Sequence, residues 1–184
     1  MIISICGKSG SGKSTLTKQL IDYYNDSAIH IDIDKIGHYV NTIPAVLEEE
    51  VKTFGLGILT NGKVDRKKLG AIVFNDDNEM AKLTDITWKY MDLEIKKIIE
   101  SNKEKLIILD WQLLPKTHYF DSCDLKILLD VPLEIRKERI LKRDNITEEQ
   151  FYTRESASID YSTYKFDIIQ KEVNFDEIKR KVNL

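Results

Sequence analysis

The sequence predicts an α/β fold built on a doubly wound, parallel, five-stranded sheet. Short apolar runs rich in β-branched residues alternate along the chain with segments of helical spacing, as expected for strands that helices cover on both faces. The first apolar run leads directly into a glycine-rich segment, a junction typical of phosphate-binding sites at a helix N-terminus. The predicted strands cover residues 2–6, 28–33, 106–110, 125–130 and 166–169.

The glycine-rich segment, residues 7–14, reads GKSGSGKS and matches a phosphate-binding loop, or P-loop, at each required position. Glycines let the backbone bend so that successive N–H groups point at a polyphosphate beside the positive end of the next helix. We expect Lys13 to place its charge on the β- and γ-phosphates and the Ser14 hydroxyl to coordinate Mg²⁺. The segment therefore predicts a site for a nucleoside triphosphate with Mg²⁺. The predicted nucleotide-binding residues are Gly7, Gly10, Ser11, Gly12, Lys13, Ser14 and Thr15.

The long segment between the second and third strands has helical spacing and no convincing strand pattern, which predicts an inserted helical region. The chain is long enough for one domain with such an insert, and too short for two independent domains. The predicted single P-loop kinase-like domain, residues 1–184, comprises a core (about 1–38, 104–132 and 160–184), a helical acceptor cap (about 39–103) and a lid (about 133–159).

The predicted lid contains three arginines on one helical face, because Arg136, Arg139 and Arg143 follow one another at i, i+3 and i+7. A solvated basic face is the ordinary interpretation of this spacing. In a kinase, guanidinium groups that close over the transferring phosphoryl group would neutralise its charge and exclude water. We expect that role for Arg139 and Arg143 more than for Arg136. Residues 147–150 read TEEQ, which predicts a helix start with a capping box.

Carboxylates end two of the predicted strands, at the sheet edge where ligands bind in open α/β folds. Asp32 and Asp34 are two residues apart, so both point to the same side if the strand stays extended. One of them would lie at the transferred phosphoryl group, and a helix N-cap is the alternative for each. Asp110 follows four apolar residues and is expected to hold Mg²⁺ or its water, with a strand-end turn as the alternative. His30 falls within the second strand and is expected in the core.

The composition does not favour a polyanionic or membrane partner. The chain has 28 basic and 31 acidic residues, a formal charge of −3, and therefore no global field that attracts nucleic acid or an anionic membrane. Cys6 and Cys123 lie in or beside apolar strand patterns and are expected to be buried thiols in a reducing cytosol. No apolar run approaches the roughly 20 residues of a membrane span. We expect a cytoplasmic protein of undetermined oligomeric state.

A second segment, residues 54–74, reads FGLGILTNGKVDRKKLGAIVF. It resembles the region of dephospho-CoA kinases that reads Gly, an apolar residue, Asp, Arg, two variable residues, Leu, Gly and then a Val-Phe pair. Residues 32–34 resemble the Asp-Ala-Asp of that family, whose second carboxylate acts near the acceptor hydroxyl and corresponds to Asp34. The resemblance runs from Ile2 to about Gln170. Arg139, Arg143, Asp144 and Arg154 fall at the family's lid and post-lid spacing. Asp167 resembles the Asp of the family's last strand.

The chain departs from the family pattern mainly on the acceptor side. Trp88 and Lys89 stand where the family has a His-Pro pair. Residues 110–116 read DWQLLPK where the family has Asp, an apolar residue, Pro-Leu-Leu, an aromatic residue and Glu. Ser158 replaces a Gln, and Gln170 replaces an Asn. The phosphate-binding machinery therefore matches the family better than the acceptor site does.

The P-loop and the resemblance together predict an ATP-dependent small-molecule kinase, and the resemblance implies the 3′-hydroxyl of dephospho-CoA as its acceptor. In this mechanism Asp34 orients or deprotonates the hydroxyl, with Asp32 as a further substrate-binding residue. Arg139 and Arg143 close over the transferring group, and Arg66 anchors the phosphate of the acceptor. A nucleoside or nucleotide kinase would share all donor-side parts and stays an alternative. The second alternative is a non-catalytic nucleotide-binding regulator.

Overall fold

The structure is a computed structural model that describes residues 1–74 and 76–183. The chain forms two compact units, one of Met1–Asp32 with Asn102–Leu184 and the other of Ile33–Ser101. The first unit contains a five-stranded sheet with helices, whereas the second is mainly helical.

The described residues contain seven strands and nine α-helices. The strands are β1 (Ile2–Cys6), β2 (Ala28–Asp32), β3 (Leu59–Thr60), β4 (Lys63–Val64), β5 (Leu106–Asp110), β6 (Leu125–Leu129) and β7 (Ile168–Gln170). The helices are α1 (Lys13–Tyr24), α2 (Ile33–Val40), α3 (Pro44–Phe54), α4 (Arg66–Val73), α5 (Asp77–Glu100), α6 (His118–Asp121), α7 (Leu133–Asp144), α8 (Glu148–Ser156) and α9 (Phe175–Val182).

The large sheet has the strand order β2-β5-β1-β6-β7, and all neighbouring strands are parallel. The predicted parallel sheet of five strands is confirmed. The bounds of β1 and β5 are those predicted, β6 ends one residue earlier, and β7 begins two residues later. Because β1 lies in the centre of the sheet, the loop that follows it leaves from the middle of the carboxyl edge.

The position of β1 and α1 is determined by a dense apolar core. Ile5 of β1, Ile108 of β5 and Ile127 of β6 have no exposed surface, and they share one cluster with Leu16 and Leu20 of α1. Full burial of each such side chain contributes about 1.5–3 kcal/mol, so a shift of either element would be costly. The loop between β1 and α1 is thus anchored at both ends.

The second strand is shorter than predicted, and this changes the position of Asp34. The strand ends at Asp32, and α2 begins at Ile33, so Asp34 lies in the first turn of a helix. The predicted strand over residues 28–33 thus ends one residue early, and the condition for Asp32 and Asp34 to point to the same side, an extended strand, is not met. The reason is tertiary burial, because Ile33, Ile36 and Val40 form a buried helical face at i, i+3 and i+7.

The second unit consists mainly of α2, α3, α4 and α5, with α2, α3 and α4 packed against the long helix α5. The predicted cap, residues 39–103, overlaps this unit. The expectation of a segment without strands is wrong, because β3 and β4 form a short antiparallel hairpin. Asn61 and Gly62 connect them with φ of 52° and 73°, the conformation that Asn-Gly turns adopt readily. The Asn-Gly pair was the sequence signal for this hairpin.

Three further expectations concern local features. The predicted helical face of the lid arginines belongs to α7, and the predicted capping box starts α8, where the Thr147 hydroxyl accepts from the N–H of Gln150. Cys6 and Cys123 are buried, unpaired thiols, as predicted, and burial raises the pKa of Cys123 to about 12. Among the described residues, no helix combines the length and the apolar character that crossing a membrane requires.

An acidic side chain lies in the interior of the second unit. Glu50 of α3 has no exposed surface, and neither of its carboxyl oxygens has a hydrogen-bond partner among the described residues. Burial raises the pKa of Glu50 to about 7, because the charged form loses its hydration. Since the pKa in the folded state lies above that of an unfolded chain, ionisation of Glu50 disfavours folding.

We expect Glu50→Gln to raise the free energy of unfolding above that of the wild type more at pH 8.5 than at pH 5. In the wild type, protonated Glu50 makes a contribution to the free energy of unfolding that is lost as the pH rises from about 4.3 to 7. This loss can reach about 3 kcal/mol. Urea unfolding at both pH values, followed by Trp88 fluorescence in a Trp111→Phe background, measures it. Glu48→Gln, at an exposed position in the same helix, is the matched control. An equal effect of Glu50→Gln at both pH values would contradict the assignment.

Candidate active site

The P-loop forms the junction between β1 and α1, with Gly12 as the N-cap of the helix. Gly10 adopts φ of 78°, a left-handed conformation that disfavours other residues. A Cβ at Gly10 would also lie only 2.9 Å from the carbonyl oxygen of Arg136 in α7. The loop therefore requires glycine at this position both for its backbone conformation and for its close approach to α7.

A cavity of about 640 Å³ opens over the loop. Residues 9–15 line one side, and the other lining residues are Arg139 and Arg143 of α7 with Glu172 and Val173, which follow β7. Backbone N–H groups at the start of α1 and two guanidinium groups give the cavity a positive character suited to a polyphosphate.

The predicted phosphate-binding side chains lie in this cavity. The Lys13 Nζ donates a hydrogen bond of 2.9 Å to the Gly7 carbonyl, which holds the side chain back along the loop. Ser14 and Thr15 are exposed in the first turn of α1. Ser11 is buried, and its hydroxyl has no hydrogen-bond partner among the described residues. These side chains provide one cation and several hydroxyl groups beside the loop N–H groups.

Arg139 and Arg143 reach the cavity from α7, one helical turn apart. Arg139 Nη1 donates to the Gly10 carbonyl at 3.1 Å. Arg143 makes two hydrogen bonds to Asp144, of 2.6 and 3.1 Å, and Asp144 also accepts from Arg154. The ion pair raises the pKa of Arg143 and lowers that of Asp144. Protein oxygens therefore orient both guanidinium groups.

Arg136, the third arginine of the predicted face, has a different environment. It is only 5% exposed and does not line the cavity. Its guanidinium group donates two hydrogen bonds to Glu155, of 2.8 and 2.9 Å, and one to the Val131 carbonyl. Arg136 is thus a buried structural cation.

The carboxylates of the sheet meet at its carboxyl edge. Asp110 of β5 is the register partner of Asp32 of β2, and Asp110 is nearly buried. His30 Nε2 lies 3.4 Å from Asp110 Oδ2. The expectation of His30 in the core is wrong, because β2 is an edge strand and His30 is exposed on the side that also carries Asp32. The arrangement supplies two carboxylates and an imidazole.

The remaining predicted substrate residues belong to the second unit. Arg66 begins α4, and its Nη1 lies 3.1 Å from His38 Nε2. Asp65 caps that helix by accepting hydrogen bonds from the N–H groups of Lys67 and Lys68. A cavity of about 310 Å³ is found beside this pair. Its lining residues are His38, Asn41, Thr42, Leu47, Gly62, Lys63, Val64 and Arg66.

Three residues that contact the predicted site were not foreseen as members of it. His30 contacts Asp110, Glu155 binds Lys8, and the Tyr161 hydroxyl binds the N–H of Gly7. For His30 the signal was its place two residues before Asp32 on one strand. Glu155 and Tyr161 are 147 and 154 residues away in sequence from the loop residues that they contact, and no local pattern indicates these contacts.

The fold and the site define the class of the protein. A phosphate-binding loop joins the central strand of a parallel sheet to the first helix, and arginines from a later helix face that loop. This combination is typical of P-loop nucleotide-binding proteins of the kinase type.

Comparison with known proteins identifies the family. The family model of dephospho-CoA kinase matches residues 1–166. A dephospho-CoA kinase of Aquifex aeolicus is 38% identical over 155 residues, which cover 83% of this chain and 77% of that protein. One of Fusobacterium nucleatum is 32% identical over 187 residues, 99% and 95% of the two chains. A solved structure from Thermus thermophilus superimposes with a TM-score of 0.83 at 22% identity, covering 100% of this chain and 94% of that one. The chain belongs to the dephospho-CoA kinase family.

Family membership confirms the resemblance that residues 54–74 indicated, and with it the prediction of an ATP-dependent transferase. ATP is the nucleotide substrate that such a family implies. None of these relatives supports the alternatives of a nucleoside kinase or a non-catalytic regulator.

We expect Gly10→Ala to weaken ATP binding at least tenfold, because the new Cβ would push the loop away from Arg136. Isothermal titration with Mg-ATP measures the change. Gly55→Ala is the matched control, since Gly55 has a similar φ of 81° but no atom within 4 Å of the added Cβ. Wild-type affinity in Gly10→Ala would show that the loop adapts to the side chain.

Proposed function

We propose that this chain transfers the γ-phosphoryl group of ATP to the 3′-hydroxyl of dephospho-CoA. The observation that carries the proposal is the cavity that Lys13 of the P-loop borders together with Arg139 and Arg143, in a member of the dephospho-CoA kinase family. Charge spreads over the phosphoryl oxygens in the transition state, so cations fixed around that position accelerate the transfer.

On the donor side, the loop N–H groups and Lys13 would bind the β- and γ-phosphates. Arg139 and Arg143 would bind the transferring group, and both guanidinium groups already border the phosphate cavity. Their present partners are the Gly10 carbonyl and Asp144. Cations held in place before the reaction need little reorganisation when negative charge develops.

The residues present fit a magnesium ion. The Ser14 hydroxyl borders the cavity, and Asp110 and Asp32 are paired carboxylates at the same sheet edge. These are hard oxygen donors, which Mg²⁺ prefers. No group of three or more His, Cys, Asp or Glu residues suited to a metal occurs among the described residues. That suits an ion held largely by phosphates and water, which when bound would neutralise charge on the β- and γ-phosphates.

A place for the base of ATP adjoins the phosphate cavity. A second cavity of about 450 Å³ shares Arg139 and Glu172 with the first. Its apolar wall includes Ile135 and Ile169, which suits the face of a planar base. The side chain of Gln170 accepts from the N–H of Asn174 and donates to its carbonyl, which braces the segment between β7 and α9.

On the acceptor side, the second unit offers a cavity with the mixed character that dephospho-CoA requires. Arg66 and Lys63 supply cations for its pyrophosphate, and Leu47 and Val64 supply apolar surface for its pantetheine arm. Arg66 would be the phosphate anchor, oriented by His38. Asp34, in the first turn of α2, would orient or deprotonate the ribose hydroxyl.

We expect Asp34→Asn to lower kcat at least a hundredfold while ATP affinity stays within about twofold. The amide keeps the shape of the carboxylate but cannot accept the proton of the hydroxyl. Steady-state kinetics with dephospho-CoA and Mg-ATP, combined with titration of Mg-ATP alone, separate the two effects. Asp77→Asn is the control, because Asp77 is an exposed carboxylate in the first turn of another helix, α5. A wild-type kcat in Asp34→Asn with lowered stability would assign Asp34 to helix stabilisation.

The acceptor itself is tested by direct comparison. With Mg-ATP, we expect kcat/KM for dephospho-CoA to exceed that for any common nucleoside or nucleoside monophosphate at least tenfold, about 1.4 kcal/mol. Arg66→Gln should raise the KM for dephospho-CoA and leave that for ATP unchanged, whereas Lys82→Gln, on exposed α5 surface, should change neither. Lys13→Ala provides the inactive blank. Phosphorylation of a nucleotide with dephospho-CoA inert would refute the proposed acceptor.

A further inference from the structure

Three consecutive residues of the P-loop are each held by a side chain from outside the loop. The N–H of Gly7 donates to the Tyr161 hydroxyl at 3.1 Å. The ammonium group of Lys8 donates to Glu155 Oε1 at 2.8 Å, and the Ser9 carbonyl accepts a longer bond of 3.4 Å from Arg136. We call Arg136, Glu155 and Tyr161 the loop clamp. None of the three lines the phosphate cavity.

Glu155 is the centre of the clamp because its carboxylate contacts two cations, Arg136 and Lys8. Its side chain is 18% exposed, and it accepts two hydrogen bonds from Arg136 and one from Lys8. These cations hold its pKa below the usual range for Glu. Loss of its charge would leave the buried guanidinium of Arg136 without a counterion, which is the costly way to break such a pair.

Tyr161 connects the loop to the segment that follows β5. Its hydroxyl accepts from Gly7 and donates to the Gln112 carbonyl at 2.8 Å. Burial raises the pKa of the phenol, so the hydroxyl keeps its proton at neutral pH and can make both bonds. The Gly7 carbonyl in turn accepts from Lys13. A single residue, Gly7, thus links Tyr161 to the lysine that is expected to bind phosphate.

We propose that Glu155 and Tyr161 are positioning residues for ATP. They touch no substrate, and they hold residues 7–9 so that the loop N–H groups and Lys13 face the phosphate cavity while the Lys8 ammonium is kept outside it. The end of α8 is then part of the frame of the donor site, although sequence spacing assigns it to the lid. The inference concerns ATP binding alone and does not depend on which acceptor is used.

The test compares two glutamates of the same helix. Glu155→Gln should raise the Kd for Mg-ATP about tenfold, because the loop loses its fixed geometry. Glu148→Gln should leave it unchanged, since Glu148 lies 3.7 Å from Lys137 of α7 and does not contact the loop. Binding is measured by titration at a temperature where circular dichroism shows each variant to be folded. A lowered melting temperature in Glu155→Gln with an unchanged Kd for Mg-ATP would assign Glu155 a purely structural role and overturn the proposal.

Two further variants keep the proposal testable if Glu155→Gln does not fold. Tyr161→Phe removes one oxygen and keeps the ring, and it should also raise the Kd for Mg-ATP severalfold; an unchanged Kd would refute the role of Tyr161. Lys8→Met probes the other partner of Glu155. If Glu155 acts partly through Lys8, the two residues act as a unit. The double variant should then lose less free energy of ATP binding than the losses of Lys8→Met and Glu155→Gln added together. Strict additivity would contradict that link.

Discussion

The donor site depends on one constraint, the fixed path of the backbone between β1 and α1. That path must direct several N–H groups toward one polyphosphate, which an unrestrained glycine-rich segment would not do. The core holds both ends of the loop, through Ile5 of β1 and Leu16 of α1. Close contact with α7 at Gly10 and hydrogen bonds to residues 7–9 restrain the middle. A glycine-rich loop is flexible by itself, but these contacts restrain it, and the restrained loop preorganises the site.

Around that loop, the cations form two groups, those that border the cavity and those that bind Glu155. Lys13, Arg139 and Arg143 border the open cavity, where their charges can act on phosphate. Lys8 and Arg136 do not line the cavity, and both bind the carboxylate of Glu155. A charge that is buried and paired has little field left for a ligand, whereas one at a cavity wall retains it. The division explains how a stretch so rich in basic groups can present a defined subset of them to a nucleotide.

Sequence patterns predicted the elements that local chemistry determines. The P-loop, the five strands and the capping box of α8 follow from composition and spacing over a few residues. Errors arose where long-range burial decided the outcome. Asp34 is helical because Ile33 and Ile36 are buried on a helical face, and His30 is exposed because β2 lies at the sheet edge. The β3-β4 hairpin was missed although its Asn-Gly turn is a local signal.

The sequence by itself determined that a phosphate-binding loop follows a buried strand and that Arg136, Arg139 and Arg143 share one face of a helix. Only the tertiary structure decided which of these arginines borders the cavity over the loop. Helical spacing orients side chains about one axis, but it carries no information on what packs against each part of that face. Glu155 and the Val131 carbonyl surround Arg136, while Arg139 and Arg143 extend past them to the cavity. A partner 19 residues away, brought close by the turn between α7 and α8, therefore separates a structural arginine from two that can bind phosphate.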